Sequence, residues 1–147
     1  MADLSITEAN VGIASLDTTE LVTERITIGA TIGKGVAVYR DLTASRKLIA
    51  AAPAATVSAL VTGITLFGGV DAGIGLMATK GPVVIGATLV AGETYYLSST
   101  AGGKIGLLAD ITVGHYVIKI GLALSTTILD IYIEQLGVST AGTTVKA

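Results

Sequence analysis

The sequence feature that most constrains the fold is an internal repeat. Residues 29–48 (GATIGKGVAVYRDLTASRKL) and residues 86–105 (GATLVAGETYYLSSTAGGKI) align without a gap at an offset of 57 positions. Each copy contains runs typical of short strands, with turn residues between them. Two copies of one hairpin predict a scaffold in which the halves fold onto each other as a pseudo-twofold β core.

The residues that recur in both copies have structural explanations. Gly35 and Gly92 suit a turn that needs a positive φ directly before a strand. Tyr39 and Tyr96 are expected to pack their rings on the opposite strand and to keep their hydroxyls near water. None of these residues has unusual chemistry, so the repetition indicates a scaffold more than a repeated binding site.

The repeat continues after a shift of one residue. VTGITL at 61–66 resembles KIGLAL at 119–124, which aligns Gly63 with Gly121. A glycine inside a strand indicates a bulge, a bend or a close backbone approach. Its recurrence at the same place favours the corner of a barrel. The pseudo-repeats therefore cover about residues 29–66 and 86–124.

Composition also favours strands. Apolar residues make up 51% of the chain, with one Phe and no Trp, and much of the remainder is Gly and Thr. Val, Ile and Thr suit pleated surfaces. We predict an all-β fold, either a compact β-sandwich or a small β-barrel built from two pseudo-repeated hairpin units. The predicted strands are 25–32, 35–41, 46–51, 57–67, 73–78, 82–86, 93–98, 104–109, 114–124 and 127–135.

The chain divides into three segments on its pattern. Residues 1–24 hold five of the eleven acidic residues and have irregularly spaced apolar residues. They are interpreted either as an extended N-terminal arm or as a first strand and loop of the domain. Residues 25–135 form the predicted β core. Residues 136–147 are small and polar, which predicts a C-terminal tail.

Few residues could support catalysis or metal binding. The chain has no cysteine, so disulfides and thiolate metal sites are excluded. The one histidine, His115, lies in an alternating strand pattern and has no carboxylate close to it in sequence. The loop GGVDAGIG at 68–75 lacks the Gly-Lys-Ser/Thr ending of a phosphate-binding loop. We predict no enzyme activity, no cofactor and no metal.

Charge and hydropathy limit the partners. The net charge is −2 and the basic residues are scattered, so nucleic-acid binding is not expected. The N-terminus has no signal-peptide pattern. Residues 48–70 are uncharged and long enough to span a bilayer, but the repeat partner at 105–123 carries Asp110, His115 and Lys119. We expect no membrane span. Charged residues form 14% of the chain, against about a quarter in typical domains, which suggests that partners or sibling subunits cover part of its surface.

A resemblance to a known family covers about residues 29–135. GVAVYRDLTASRKLIAAA, the following GITL strand, GATLVAGETYYLSSTAGGKIGLLADI and GHYVIKIGLAL resemble small capsid decoration (cement, or head-stabilising) proteins of tailed bacteriophages. The resemblance implies a protein made in the host cytoplasm that binds the outer surface of the virion head as a homotrimer. It would cement neighbouring major capsid protein subunits against internal DNA pressure.

The N-terminal segment is then a candidate for capsid binding, because an extended arm can add a strand to a sheet edge. Three arms on one trimer would gain affinity from effective concentration. The expected apolar anchors are Leu4, Ile6, Val11, Ile13 and Leu16.

Two other functions are compatible with these sequence features. A receptor- or glycan-binding module of a phage head fibre or tail structure is the main alternative, although five tyrosines and no tryptophan make a weak sugar platform. A tail-tube or baseplate protein is a further alternative, which a hexameric ring would distinguish from a trimer.

Overall fold

The structure, a computed structural model, consists almost entirely of β-strands. It describes residues 4–13, 21–41, 46–49, 61–70, 72–98, 103–108, 111–112, 114–140 and 144–146. The strands are β1 Val11–Ile13, β2 Val22–Thr27, β3 Ala37–Asp41, β4 Arg46–Ile49, β5 Val61–Phe67, β6 Ile74–Ile85, β7 Thr94–Leu97, β8 Ile105–Gly106, β9 Tyr116–Ala123, β10 Ile128–Thr140 and β11 Thr144–Lys146. A 3₁₀ turn, Glu8–Asn10, precedes β1. The all-β prediction is confirmed, and the antiparallel sheet curls into a nearly closed barrel.

The eleven strands form one sheet, with the order β4-β3-β5-β6-β10-β9-β7-β8, and β1, β2 and β11 pair beside this path. Its two halves repeat one order and meet at β6, and we call them the first sheet (β4-β3-β5-β6-β2) and the second sheet (β8-β7-β9-β10-β6). Residues 74–80 of β6 pair with β2 in the first sheet, and residues 80–84 pair with β10 in the second. β6 therefore belongs to both halves, with β5 and β2 beside its first part and β10 and β1 beside its second part.

The repeat in the sequence is a repeat in strand register. Val38 on β3 lies opposite Gly63 on β5, and Tyr95 on β7 lies opposite Gly121 on β9. The next pairs, Tyr39 with Val61 and Tyr96 with Lys119, follow a register shift in both sheets. The same one-residue bulge thus occurs at equivalent positions in the two copies.

The hairpins that flank this bulge differ slightly. Tyr39 lies opposite Leu48, whereas Tyr96 lies opposite Gly106, one residue beyond the position expected from the repeat. Tyr39 and Tyr96 are both half-buried. The turn glycines before the strands, Gly35 and Gly92, have φ values of 73° and 88°. An L-residue with a side chain rarely adopts these values.

Close backbone packing explains the two strand glycines. A Cβ atom at Gly63 would lie 2.7 Å from the carbonyl oxygen of Ala78 on β6. A Cβ atom at Gly121 would overlap the carbonyl oxygen of Asp130 on β10. Both glycines therefore let the strand beside the bulge approach the next strand of its sheet.

The buried apolar side chains form two clusters, one between the sheets and one on the other face of the first sheet. The main core lies between the sheets and includes Ile64 and Leu66 from β5 with Ile118 and Ile120 from β9. A second cluster packs on the other face of the first sheet and consists of Ile26, Ile28, Ile32, Val38 and Met77. The sheets also meet at their ends, because the Ala37 amide donates to the Gly103 carbonyl at 2.9 Å.

Residues 4–13 form a strap that joins the two edges of the second sheet. The Leu4 amide donates to the Ile105 carbonyl of β8 at 2.9 Å, and the Thr7 amide donates to the Gly86 carbonyl after β6 at 2.8 Å. β1 then pairs with residues 83–85 of β6. Residues 4–13 therefore lie on the barrel instead of projecting from it as an arm, with Val11–Ile13 as a first strand, and residues 22–24 begin β2.

Two other segments differ from the sequence expectation. The predicted strands 73–78 and 82–86 are one twelve-residue strand, β6. In the described part of the chain Gly81 and Pro82 pair only with β10, and a proline is tolerated in a sheet where one edge is unpaired. The predicted tail, 136–147, instead contains the end of β10 and β11, which pair in antiparallel fashion.

We expect Gly121→Ala to destabilise the fold, because its methyl group would press on the Asp130 carbonyl. Overpacking of this kind costs about 1–3 kcal/mol. Gly12→Ala on β1 is the matched control, since a Cβ atom there meets nothing within 4 Å. Urea unfolding of both variants measures the difference, and equal stability of the two would contradict the close-approach explanation.

Candidate functional site

The described residues bring together no obvious catalytic group. Among them, no cluster of three or more His, Cys, Asp or Glu side chains could hold a metal ion. His115 is half-buried just before β9, and its amide donates to the Thr112 carbonyl at 3.1 Å. The absence of enzyme activity stays a prediction.

The proposed capsid anchors lie mostly against this chain's own core. Leu4 and Ile6 pack on the main core, and Val11 is only 7% exposed. The backbone of Ile13 pairs with Val83, and Leu16 lies outside the described residues. Each fully buried aliphatic side chain contributes about 1.5–3 kcal/mol, so releasing the strap costs on the order of several kcal/mol.

Large apolar side chains are exposed elsewhere. They are Val22, Phe67, Val70, Ile74, Val90, Leu122, Leu124 and Tyr132. Three of them cluster at the turn between β5 and β6, and Leu122 and Leu124 extend from β9. Contiguous apolar surface on a folded protein commonly marks an interaction site.

The β5–β6 tip, residues 67–74, presents three of these side chains. Phe67, Val70 and Ile74 are 54%, 65% and 65% exposed. The Lys34 ammonium lies 5.2 Å from the centroid of the Phe67 ring, within the range of a cation–π interaction. Lys34 therefore lies beside an apolar surface, and the tip sequence also contains one acidic residue, Asp71, outside the described residues.

Backbone hydrogen bonds hold the β5–β6 tip in place. Ile32 and Gly69 exchange two bonds of 2.9 and 2.8 Å. Ile28 accepts from Ala72 at 2.7 Å and donates to Gly73 at 2.9 Å. Ala72 has a φ of 66°, an unfavourable value for a residue with a side chain. These bonds fix the turn against the segment that follows β2, so its apolar side chains are presented in a defined geometry.

A pocket of about 220 Å³ opens between the β8 end and the turn before β7. The described residues that line it include Leu4, Val90, Glu93, Tyr95 and Leu107. The Val90 amide donates to the Tyr95 hydroxyl at 3.0 Å, and the Gly92 amide donates to the Ala123 carbonyl of β9 at 2.8 Å. The pocket is thus mainly apolar, and Glu93 is the one carboxylate among its described lining residues.

Glu93 also influences a neighbouring tyrosine. Burial raises the pKa of Tyr96 above its usual value of 10.0, and the negative charge of Glu93 raises this pKa further. Both effects disfavour the phenolate.

The outer face of the second sheet is the third candidate surface. Leu122 on β9 lies opposite Asp130, and Leu124 lies in the turn after β9, where its amide donates to the Ile128 carbonyl at 2.9 Å. On β10, Tyr132 is exposed with the Lys119 ammonium 5.3 Å from its ring centroid. This face combines apolar side chains with a few charges on hydrogen-bonded strands.

Sequence reasoning considered GGVDAGIG at 68–75 only as a possible phosphate-binding loop, and it predicted neither the exposed apolar tip nor the pocket. A usable signal for the tip was present, since GGVDAGIG carries Val70 and Ile74 in a turn, where polar residues are usual. The pocket has no such signal, because Leu4, Glu93 and Leu107 are far apart in sequence and meet only through the strap and β8.

Comparisons with known proteins identify no family. Neither a protein-family model nor a curated protein sequence matches the chain. In the part of the chain that the structure describes, no helix is long and apolar enough to cross a bilayer.

We expect Glu93→Gln to lower the pKa of Tyr96 while leaving it above 10.0, because burial is the larger cause. The folded state then holds this proton to a higher pH than the unfolded state does, so stability falls as the pH rises through 10 and beyond. NMR of ¹³C-labelled tyrosine measures the pKa. Glu24→Gln, on the first sheet, is the control; an equal shift in both variants would contradict the assignment.

Proposed function

We propose that this chain is a structural virion protein that binds the outer surface of a tailed-phage head and cements neighbouring major capsid protein subunits. The support is the resemblance over about residues 29–135, together with a rigid β fold that exposes apolar side chains. The low charged fraction, 14%, agrees with a surface that partners cover in part. Self-association as a homotrimer is part of the proposal.

The observation that carries the proposal is the outer face of the second sheet. Leu122 and Tyr132 are exposed there on paired strands, and exposed Leu124 follows in the turn, where its amide bonds to Ile128. A pre-ordered surface loses little conformational entropy on binding, so its apolar area contributes more of its burial free energy to affinity. A sheet face of this kind suits a broad contact with a capsid surface.

The shared strand suits a mechanical role. β6 pairs with β2 and β5 in the first sheet and with β10 in the second. A load applied to either sheet therefore reaches the other through a covalent strand and through the common core. A cement that joins neighbouring capsid subunits needs this resistance to shear.

The strap is proposed to remain closed during attachment. Contact of Leu4, Ile6 and Val11 with the capsid would require the strap to leave its own barrel, at the cost given above. The outer sheet face needs no such rearrangement.

Mixing the purified protein with undecorated heads of the phage that encodes it should give discrete surface densities where capsid subunits meet, as seen by cryo-electron microscopy. Leu124→Asp should weaken binding about tenfold or more, because it places a charge in the apolar contact. Thr27→Asp, on exposed β2 of the first sheet, is the control. Bare heads at saturating protein would refute the proposal, and selective binding on a glycan array would favour the receptor-binding alternative.

The role of the strap can be tested with a disulfide. Gly12 on β1 lies directly opposite Val84 on β6. The chain has no cysteine of its own, so two introduced cysteines can pair only with each other. We expect the oxidised double variant Gly12→Cys/Val84→Cys to decorate heads as well as its reduced form does. Loss of decoration on oxidation, with recovery on reduction, would instead assign the capsid contact to a released N-terminal arm.

A further inference from the structure

We propose that the groove filled by the strap also accepts the strap of a second copy of this chain, and that the Glu8 side chain is the latch that keeps each strap on its own barrel. The strap groove is the surface formed by β8, residues 83–86 and the turn at residues 33–35. This inference goes beyond the proposed function, because strap exchange involves two copies of the chain and no capsid.

The strap groove binds its occupant mainly through backbone groups. The Leu4 amide donates to the Ile105 carbonyl of β8. The Thr7 amide donates to the Gly86 carbonyl, and β1 pairs in antiparallel fashion with residues 83–85. Main-chain hydrogen bonds of this kind hold an extended peptide on a sheet edge. The groove therefore recognises an extended segment, and the structure shows that the strap is a segment that fits it.

Two glycines shape the strap groove around Val11, one before β3 and one after β6. Gly35 and Gly86 have positive φ values of 73° and 74°. A Cβ atom at either position would lie 3.1 Å from Cγ2 of Val11, which is tighter than ordinary van der Waals contact. Only 7% of Val11 is exposed. The groove therefore fits this β-branched side chain closely, which makes it specific for the strap sequence.

The Glu8 carboxylate fastens the strap to the turn before β3. Its Oε1 atom accepts a hydrogen bond from the Lys34 amide at 2.7 Å. Gly33 leaves room for the carboxylate, since a Cβ atom at this position would overlap Oε1. Glu8 is exposed, so this bond can open to water without disturbing the core. Loss of a hydrogen bond between an amide and a charged group changes an equilibrium constant by about tenfold, so the latch sets how often the groove is free.

The same contacts form whether the strap comes from the same copy or from another. Exchange of an identical element between protomers needs no new interface chemistry. The copy's own strap rebinds at a high effective concentration because it is covalently attached. Exchange therefore requires a groove whose own strap has opened, and its extent follows the fraction of open grooves.

Disulfide trapping between two single-cysteine variants measures this exchange in the full chain. Gly12 on β1 lies opposite Val84 on β6, so a Gly12→Cys donor and a Val84→Cys acceptor bring their thiols together when the donor strap occupies the acceptor groove. Mixed under mild oxidation, the two variants should give a donor–acceptor dimer on a non-reducing gel. An acceptor with Thr27→Cys, exposed on β2, measures random collision.

The latch is tested in the acceptor. Glu8→Ala should raise the initial rate of dimer formation about tenfold, because it opens the acceptor groove and leaves the Lys34 amide free for the donor's Glu8. Glu8→Gln should stay near the unmodified rate, since its amide oxygen still accepts the bond. Gly33→Ala should open the strap without a gain in rate, because its methyl group also excludes the donor carboxylate. Glu134→Ala, exposed on β10, is the matched control and should leave the rate unchanged.

A rate that Glu8→Ala raises and Gly33→Ala does not raise supports both the exchange and the latch. Dimer formation no faster than with the Thr27→Cys acceptor overturns the exchange. A Glu8→Ala acceptor that reacts no faster than its parent overturns the latch, as do equal gains from Glu8→Ala and Gly33→Ala.

Circular dichroism verifies that each variant is folded. If the Glu8→Ala acceptor is not, hydrogen exchange of the Leu4 and Thr7 amides decides: it should be about tenfold faster in Gly33→Ala than in the wild-type protein, and equal exchange would overturn the latch. The mixture contains no phage heads, so failure of the trapping leaves the head-binding proposal standing. Bare heads in the decoration assay would refute the proposed function alone.

Discussion

Backbone pairing along β6 is the interaction on which the rest of the structure depends. Its first half lies between β5 and β2, and its second half lies between β10 and β1. Because one continuous strand of twelve residues belongs to both sheets, the two copies of the repeat cannot separate without breaking its hydrogen bonds. The main core between the sheets then forms at a spacing that this shared strand sets.

The strap uses the remaining edges of the second sheet. It bonds to β8 at Leu4 and to the end of β6 at Thr7, and it places Val11 in the core. Exposed edges attract further strands, so a closed edge favours association through side chains over association through strand addition. The exposed apolar surfaces of the described chain are accordingly a fixed turn and a sheet face, and not an open strand edge of the strap.

The tip and the pocket both present apolar surface on an ordered backbone. Lys34 lies over the Phe67 ring of the tip, and Glu93 lines the pocket. Apolar atoms provide most of the free energy of burial when such a surface is covered. Both surfaces are held by backbone bonds to neighbouring segments, so little ordering is needed on contact.

The period-two alternation in HYVIKIGLAL and the repeat at an offset of 57 were sufficient to predict the all-β fold and its duplication, because both depend on local backbone geometry. They did not reveal that Gly81 and Pro82 continue a strand, since this depends on pairing with β10. The positions of Leu4 and Ile6 depend on the edges of a sheet whose strands come from residues about 80 to 130 positions away. The pocket likewise joins Leu4, Glu93 and Leu107. These long-range pairings form only in the folded chain, because there the backbone groups are hydrogen-bonded and the apolar surface is buried at the same time.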